Sequence, residues 1–403
     1  MQRPVVVMKG DFTGISGYAR CTRTYAESLF KYGINLFCQD HRKDGTGLRT
    51  PFWEKMLKER SVDFTFQRDI TIWHETPQFW GPDNKTCINI GYTTFETTGI
   101  CNRDILGNPQ SNWVAQCNKM DLILVPCNFN KKSFQDSGVT TQIEVVPHIV
   151  HPPNPSATPF YEEKPDHMRL LSVFQWNPRK DPVTLLLGFW RANIKNTRLI
   201  MKTYGLEFDE SNLIIIDKLQ KMKKTFYEQP LSTINPVLNK LSDDEMDMLF
   251  KSADVYITTS KGEGFALPAI ESAMAGVPLI APTGTAFADY MSDEIGYPLE
   301  WEWEPVHGMD HLPYGIWYSP STDWMKVKAN SVTTAIKQAW TDMTTPCLDR
   351  GENTTVLKCK GRKAKEAAEK LSSEKIVTEL YARLLNEIFN RKANNNEHRR
   401  ING

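Results

Sequence analysis

Ser260-Lys261-Gly262-Glu263-Gly264-Phe265-Ala266-Leu267-Pro268-Ala269-Ile270-Glu271 stands between an apolar run at 255–258 and a helical pattern over 266–275 that Gly276 stops. Strand, glycine-bearing loop and helix start form the joint at which open parallel α/β sheets bind ligands, outside the carboxyl ends of the strands. Gly262 and Gly264 permit close backbone approach. The amides of Phe265, Ala266 and Leu267 fall where a helix supplies no acceptor, so they can bind phosphate. Pro268 suits the first turn, where its missing donor is no loss. Two carboxylates flank this seat: Glu263 in the loop and Glu271 one turn into the helix. Glu271 can accept two hydrogen bonds from a ribose diol, and Glu263 faces whatever lies beyond the phosphates. On this stretch alone, a dipole partner at Glu271 and a solvated Glu263 explain the pair equally well.

Outward from that joint, short apolar runs alternate with helical patterns. Strands are predicted at 5–8, 34–38, 70–73, 87–92, 122–125 and 143–146, with helices near 18–32, 111–119 and 130–137. A proline-rich break follows between Pro152 and Pro165. The rhythm then restarts with strands at 170–174, 199–203, 213–216, 255–258 and 277–281 and a helix at 183–192. Ser242-Asp243-Asp244-Glu245 reads as a capping box, which accounts for the Asp pair without a metal. Ile376, Leu380, Leu384, Leu385 and Ile388 recur at helix spacing near the end. The expectation is two α/β domains, 1–160 and 165–372, then a helix over 373–391 and a flexible tail over 392–403.

Charge and composition exclude several classes. The 403 residues carry 48 Lys+Arg against 48 Asp+Glu, with 40% hydrophobic and 24% charged, so a polyanion coat and a disordered chain are both out. No apolar run approaches the roughly 20 residues of a membrane span. The eight cysteines are scattered without a CxxC pair, the usage of reduced residues in a cytoplasmic protein (host cytoplasm, if the chain is viral).

The stretch from Glu263 to Glu271 resembles the E-x7-E motif of retaining glycosyltransferases of the GT-B fold, in particular family 4. Both glutamates, the Gly264-Phe265 pair and the following Ala275-Gly276-Val277-Pro278 match. Pro282-Thr283-Gly284-Thr285 resembles that family's second glycine-rich loop, with Asp289 in place of its usual Glu. A second loop, Val173-Phe174-Gln175-Trp176-Asn177-Pro178-Arg179-Lys180-Asp181-Pro182, also joins a strand to a helix. Adjacent cations there suit a pyrophosphate, or simply form a solvated basic turn. Lys180 falls at the family's lysine; the family's arginine falls at Gln175, a departure for which Arg179 is the substitute.

Further candidates lie in the first half. Gly10-Asp11-Phe12-Thr13-Gly14-Ile15-Ser16-Gly17-Tyr18 precedes a long helix but does not spell GxGxxG, and Asp11 is a poor neighbour for a pyrophosphate. Asp40 lies at a suitable distance for a ribose contact, so nicotinamide-dinucleotide binding stays open. In GT-B enzymes the equivalent loop faces the cleft, which the resemblance maps to Gly14 on the donor and to Ser16, Gly17 and Tyr18 on the acceptor or sugar. His74 and Glu96 follow predicted strand ends, and Tyr92 to Glu96 resembles stretches of some family members. His74 is a catalytic candidate and Glu96 a substrate contact; buried structural roles are the alternative. Asn128 and His148 resemble recurrent cleft positions. Trp301, Trp303, Trp317, Tyr318 and Trp324 would form an acceptor platform or pack a surface insertion.

The resemblance implies two Rossmann-like domains facing a central cleft, with the last helix crossing back to the first. It implies transfer of a hexosyl or pentosyl group from a nucleotide-sugar to an acceptor hydroxyl with retention, without metal or cofactor. Lys180 and Arg179, with helix-terminal amides, would stabilise the leaving diphosphate; Glu271 would hold the ribose; Glu263 with the Gly264 and Phe265 amides would hold the sugar. Glycan, lipid, protein, small-molecule and modified-DNA acceptors all fit. A viral transferase for hydroxymethylcytosine in DNA is one specific form, motivated by the aromatic insertion and basic tail. A sugar-nucleotide epimerase, a nicotinamide-dependent oxidoreductase and a non-catalytic sugar-nucleotide binder are the rivals.

Overall fold

The computed structural model describes residues 4–14, 16–40, 51–62, 66–82, 88–161, 167–205, 211–226, 232–310 and 315–401. Ile15 of the first loop, Cys87 at the start of a predicted strand and Pro165 lie outside the described residues. The chain forms two compact units: Met1–Phe95 with Gly99–Ile149 and Ser372–Gly403, and Glu96–Thr98 with Val150–Leu371.

The first unit begins with β1 (Val5–Gly10), α1 (Gly17–Lys31), β2 (Asn35–Asp40), α2 (Pro51–Arg60) and β3 (Ile70–His74). It continues through β4 (Ile88–Tyr92), α3 (Trp113–Cys117), β5 (Leu122–Val125), α4 (Asn128–Asp136) and β6 (Ile143–Val145). Among the described residues these strands form a six-stranded sheet in the order β2-β1-β3-β4-β5-β6, with parallel pairing throughout. Val6, Val7 and Met8 are wholly buried, the unbroken apolar run expected of a strand covered on both faces. Ser16 caps α1 by accepting from the Ala19 amide at 3.1 Å.

The second unit opens with β7 (Met168–Gln175), α5 (Pro182–Ala192), β8 (Thr197–Tyr204), α6 (Ser211–Phe226), β9 (Thr233–Val237) and α7 (Asp243–Lys251). Then come β10 (Val255–Ile257), α8 (Leu267–Met274), β11 (Leu279–Pro282) and β12 (Gly296–Leu299). Its described strands form a second six-stranded parallel sheet, β12-β11-β10-β7-β8-β9, with Pro236 tolerated because β9 is an edge. Alternate residues feed two cores: Leu171 and Ile200 to one face, Leu170 and Leu199 to the other. An antiparallel hairpin of β13 (Trp301–Pro305) and β14 (Asp323–Val327) carries much of the aromatic run, followed by α9 (Ala329–Asp342), β15 (Pro346–Asp349), β16 (Glu352–Thr355) and α10 (Val356–Ser372).

The last helix, α11 (Glu374–Ile401), belongs to the first unit. Ser28 of α1 donates to Glu374 at 2.9 Å, and Tyr381 meets Tyr25 edge-on at 5.4 Å. Both sheets and this returning helix accord with the fold class expected from the sequence.

Three sequence expectations are corrected. Residues 213–216 are not a strand but lie in α6. The run of branched residues there is outweighed by helix-spaced Ile215, Leu219 and Met222, which pack on the core while Leu213 and Ile214 are exposed. α11 continues past Arg391, since no glycine or proline interrupts the polar tail before Gly403. The cysteines are not all reduced: Cys347 of β15 is bonded to Cys359 of α10, a pair that spacing alone does not reveal.

Candidate active site

In the second unit β7 has its sequence neighbour β8 on one side and the later strand β10 on the other. The crevice between β7 and β10 is therefore a topological switch point, and the loops leaving Gln175 and Ile257 border it. The first loop is a tight turn. The Asn177 side chain accepts from the Lys180 amide at 3.1 Å, and Asp181, at φ 45°, accepts from the Thr184 amide to start α5. Arg179 and Lys180 are thus fixed in backbone by capping on either side. The second loop is laced to the first: the Lys261 amide donates to the Arg179 carbonyl at 2.7 Å and the Thr259 hydroxyl to the Asp181 carbonyl at 2.9 Å.

This lacing brings the charged side chains together. The Lys180 ammonium donates to Glu263 Oε1, and Arg179 Nη1 lies 3.4 Å from Glu263 Oε2 while donating to the Gly262 carbonyl at 2.6 Å. Arg179 Nη2 lies 3.4 Å from Glu96 Oε1, and the Tyr318 hydroxyl donates to Glu96 Oε2 at 2.8 Å. Burial opposes charge on Glu263, but Lys180 and Arg179 beside it bring its carboxyl below the ordinary range. Burial, then the Arg179 charge, pulls the Lys180 ammonium below the ordinary lysine value despite Glu263.

α8 begins beside this cluster without a side-chain cap. Its N-cap is Ala266, at φ 64°; Pro268 has no amide proton, and the Ala269 amide donates to the Ala266 carbonyl at 2.9 Å. Phe265 and Ala266 are buried in the core, which anchors the turn from Gly264 to Leu267. Glu271 on α8 is 8% exposed. The Tyr256 phenol of β10 is held neutral by burial and then by the Glu263 and Glu271 carboxylates, so the two glutamates act on one point. The Glu263 amide donates to the Thr285 hydroxyl at 3.3 Å, which ties in the second glycine-rich loop.

Sequence reading passed over the next layer. Lys261 pairs with Glu304 at 2.5 Å and lies 5.1 Å from the Trp324 ring centroid; Trp324 Nε1 donates to Glu304 at 3.2 Å. Trp324 is wholly buried, and Trp301 donates to Thr283 at 3.1 Å, so these two rings pack the hairpin onto its unit. The alternation Trp301-Glu302-Trp303-Glu304 was the available signal, a two-residue period that marks a strand.

The other predicted residues lie in the first unit. The Gly14 amide donates to Asp11 Oδ1 at 2.6 Å, and a Cβ at 14 would overlap that carboxylate. Asp11 also accepts from the Thr13 amide at 3.2 Å, so the loop uses its own carboxylate where a dinucleotide fingerprint would use phosphate. Asp40 accepts from the Phe12 amide at 3.2 Å and the Thr13 hydroxyl at 3.1 Å. Ser16 caps α1, Gly17 begins it, and the Tyr18 hydroxyl bonds to Thr94. His74 is wholly buried, with Nδ1 2.7 Å from the Thr22 hydroxyl and its ring stacked on Tyr92 at 4.5 Å. His148 Nδ1 lies 3.2 Å from the Tyr92 hydroxyl. Burial lowers both imidazoles to about 3, with His74 adding to the shift of His148. Asn128 opens α4 and is exposed.

Residues 162–298 match the family model described as Glycosyl transferases group 1. The match spans Arg179, Lys180, Glu263 and Glu271. A 66-residue segment is 29% identical to ORF313 of Acidianus filamentous virus 1, which carries a provisional glycosyltransferase name; it covers 16% of this chain and 21% of that protein. Among solved structures, HepE of Anabaena in complex with UDP and glucose superposes with a TM-score of 0.64 at 10% identity, over 96% of this chain and 100% of that one. Sucrose-phosphate synthase of Thermosynechococcus elongatus gives 0.65 at 12% identity, over 96% and 100%. TarM of S. aureus gives 0.53 at 15%, over 80% of this chain and 55% of TarM. The chain has the GT-B fold, and within it residues 162–298 are a glycosyl transferases group 1 domain.

Proposed function

We propose that the chain transfers a sugar from a nucleoside-diphosphate sugar to an acceptor hydroxyl with retention at the anomeric carbon. The observation that carries this reading is the cluster of Lys180, Arg179 and Glu263 at the β7/β10 switch point, beside uncapped α8 and buried Glu271. A diphosphate needs fixed positive charge and amide donors, and both are in place before it arrives. Glu271 accepts from the ribose hydroxyls, and Glu263 with the Gly264 and Phe265 amides holds the sugar. Lys180 and the amides of Ala266 and Leu267 at the start of α8 counter the charge that grows as the bond from the anomeric carbon to the phosphate oxygen breaks. The acceptor oxygen bonds to the same face of that carbon, and its proton passes to the departing phosphate. HepE, solved with UDP and glucose, supports a uridine nucleotide as the first donor to try.

The test is incubation with uridine, guanosine and adenosine diphosphate sugars against separate glycan, lipid and DNA acceptors, followed by mass spectrometry. A glycosylated acceptor with stoichiometric nucleoside diphosphate is the expected result. Donor altered without an acceptor, seen by NMR, would make the chain an epimerase. Donor bound for hours without release of diphosphate would make it a binding protein.

A further inference from the structure

Residues Glu96–Thr98 belong to the second unit although the chain on both sides of them belongs to the first. Three contacts independent of charge fasten this short segment. A Cβ at residue 262 would overlap the Glu96 carbonyl oxygen, so only glycine lets the two backbones lie together. The Thr98 amide donates to the Asp323 carbonyl at 2.9 Å, and the Asp323 amide donates to the Thr98 hydroxyl at 2.8 Å. The segment is thereby seated between the Gly262 turn and the first residue of β14.

On that seat the Glu96 carboxylate is held at both oxygens, by the Tyr318 hydroxyl at 2.8 Å and by Arg179 Nη2 at 3.4 Å. Arg179 in turn donates to the Gly262 carbonyl at 2.6 Å and lies beside Glu263. Its guanidinium therefore spans two protein segments at opposite ends of its fork, a use that a point-charge lysine could not reproduce. We propose that Glu96, braced by Tyr318, is a positioning residue of the donor site: it fixes Arg179 against the Gly262–Glu263 turn and so presets that turn for the nucleotide-sugar. This deepens the proposed function and rests on it. Tyr318 belongs to the aromatic run expected from sequence to form an acceptor platform or to pack a surface insertion; its hydroxyl serves Glu96.

The experiment is a set of double-mutant cycles read by calorimetric binding of uridine, guanosine and adenosine diphosphate, with donor and acceptor KM measured alongside. Tyr318→Phe deletes one hydroxyl, and Glu96→Gln keeps the shape, so both report on proteins with minimal disturbance. Loss of one hydrogen bond predicts about threefold weaker binding for Tyr318→Phe, and loss of the whole brace about tenfold for Glu96→Ala. Glu96→Ala combined with Tyr318→Phe is expected to be no weaker than Glu96→Ala alone, and Glu96→Ala is expected to add nothing in an Arg179→Ala background. Donor KM rises with these losses and acceptor KM does not. Additive effects, tighter binding in Glu96→Ala, or an equal rise in acceptor KM would each overturn the assignment. Wild-type protein that binds none of the three diphosphates would overturn the transferase reading itself, and the Glu96 assignment with it.

Discussion

Both units run a parallel sheet to a glycine-bearing loop that opens a helix, yet the two loops are finished in different ways. In the first unit, Asp11 accepts from the Thr13 and Gly14 amides, and Ser16 caps α1. In the second, α8 has no side-chain cap, and the neighbouring charges are Lys180, Arg179 and Glu263. One loop turns a carboxylate onto its own amides; the other sets a cluster of paired charges beside a helix start that no side chain caps. The buried histidines follow the same division. His74 and His148 sit among tyrosines, where burial keeps them neutral, whereas the second unit spends its buried polar groups on ionised pairs. Topology marks where a ligand can sit; the chemistry of the loop decides whether one is needed.

The largest expected effect probes the neutral histidines. Both fold with imidazoles near 3 against an ordinary 6.5, so the unfolded chain binds more protons between those values. Stability is then full above pH 6.5 and is lost as the pH falls toward 3, on the order of 3 kcal/mol for each histidine by pH 4.5. Urea titrations at stepped pH should show this slope, and His148→Asn should about halve it, leaving the His74 share; a pH-independent midpoint would break the contrast between the units. Next, Lys180→Ala should lower turnover about 10²-fold, read as diphosphate release, if Lys180 meets the departing charge. Near-normal turnover would leave the second loop no more a site than the first. Asp11→Ala should cost about 2 kcal/mol, from two charge-assisted hydrogen bonds in a buried loop, without changing nucleotide affinity. A shift in that affinity would show that the first loop also serves the donor. The smallest change is Ser16→Ala, about 1 kcal/mol from the lost cap, measured by thermal unfolding. A change in acceptor KM instead would make Ser16 a substrate contact.

What could be read in the chain was whatever is local. The strand-loop-helix joint around Glu263, the capping box at Ser242 and the two-sheet rhythm depend on near neighbours, and each is present in the fold. Residues 213–216 misled because four branched or apolar residues in a row satisfy a strand as well as a helix; only Leu219 and Met222 beyond them decide the period. Asp11 could be judged a poor phosphate neighbour from sequence, but its use as an internal acceptor for Gly14 depends on the turn's closure. The partners of Glu96 and Lys261 were out of reach. Tyr318 and Glu304 are brought to them by the hairpin, and no spacing rule links such distant positions. The bond between Cys347 and Cys359 likewise depends on β15 meeting α10.

The return of α11 to the first unit bears on how the protein is made. Tyr25 in α1 has Tyr381 as an edge-on neighbour, and Ser28 bonds to Glu374 at the opening of α11. During synthesis those groups on α1 leave the ribosome long before their partners, with the whole of residues 150–371 translated in between. The unit that starts first is therefore the one that finishes last. Until α11 arrives, the first unit must survive with the Tyr25 edge uncovered, while the second can complete its own sheet and close.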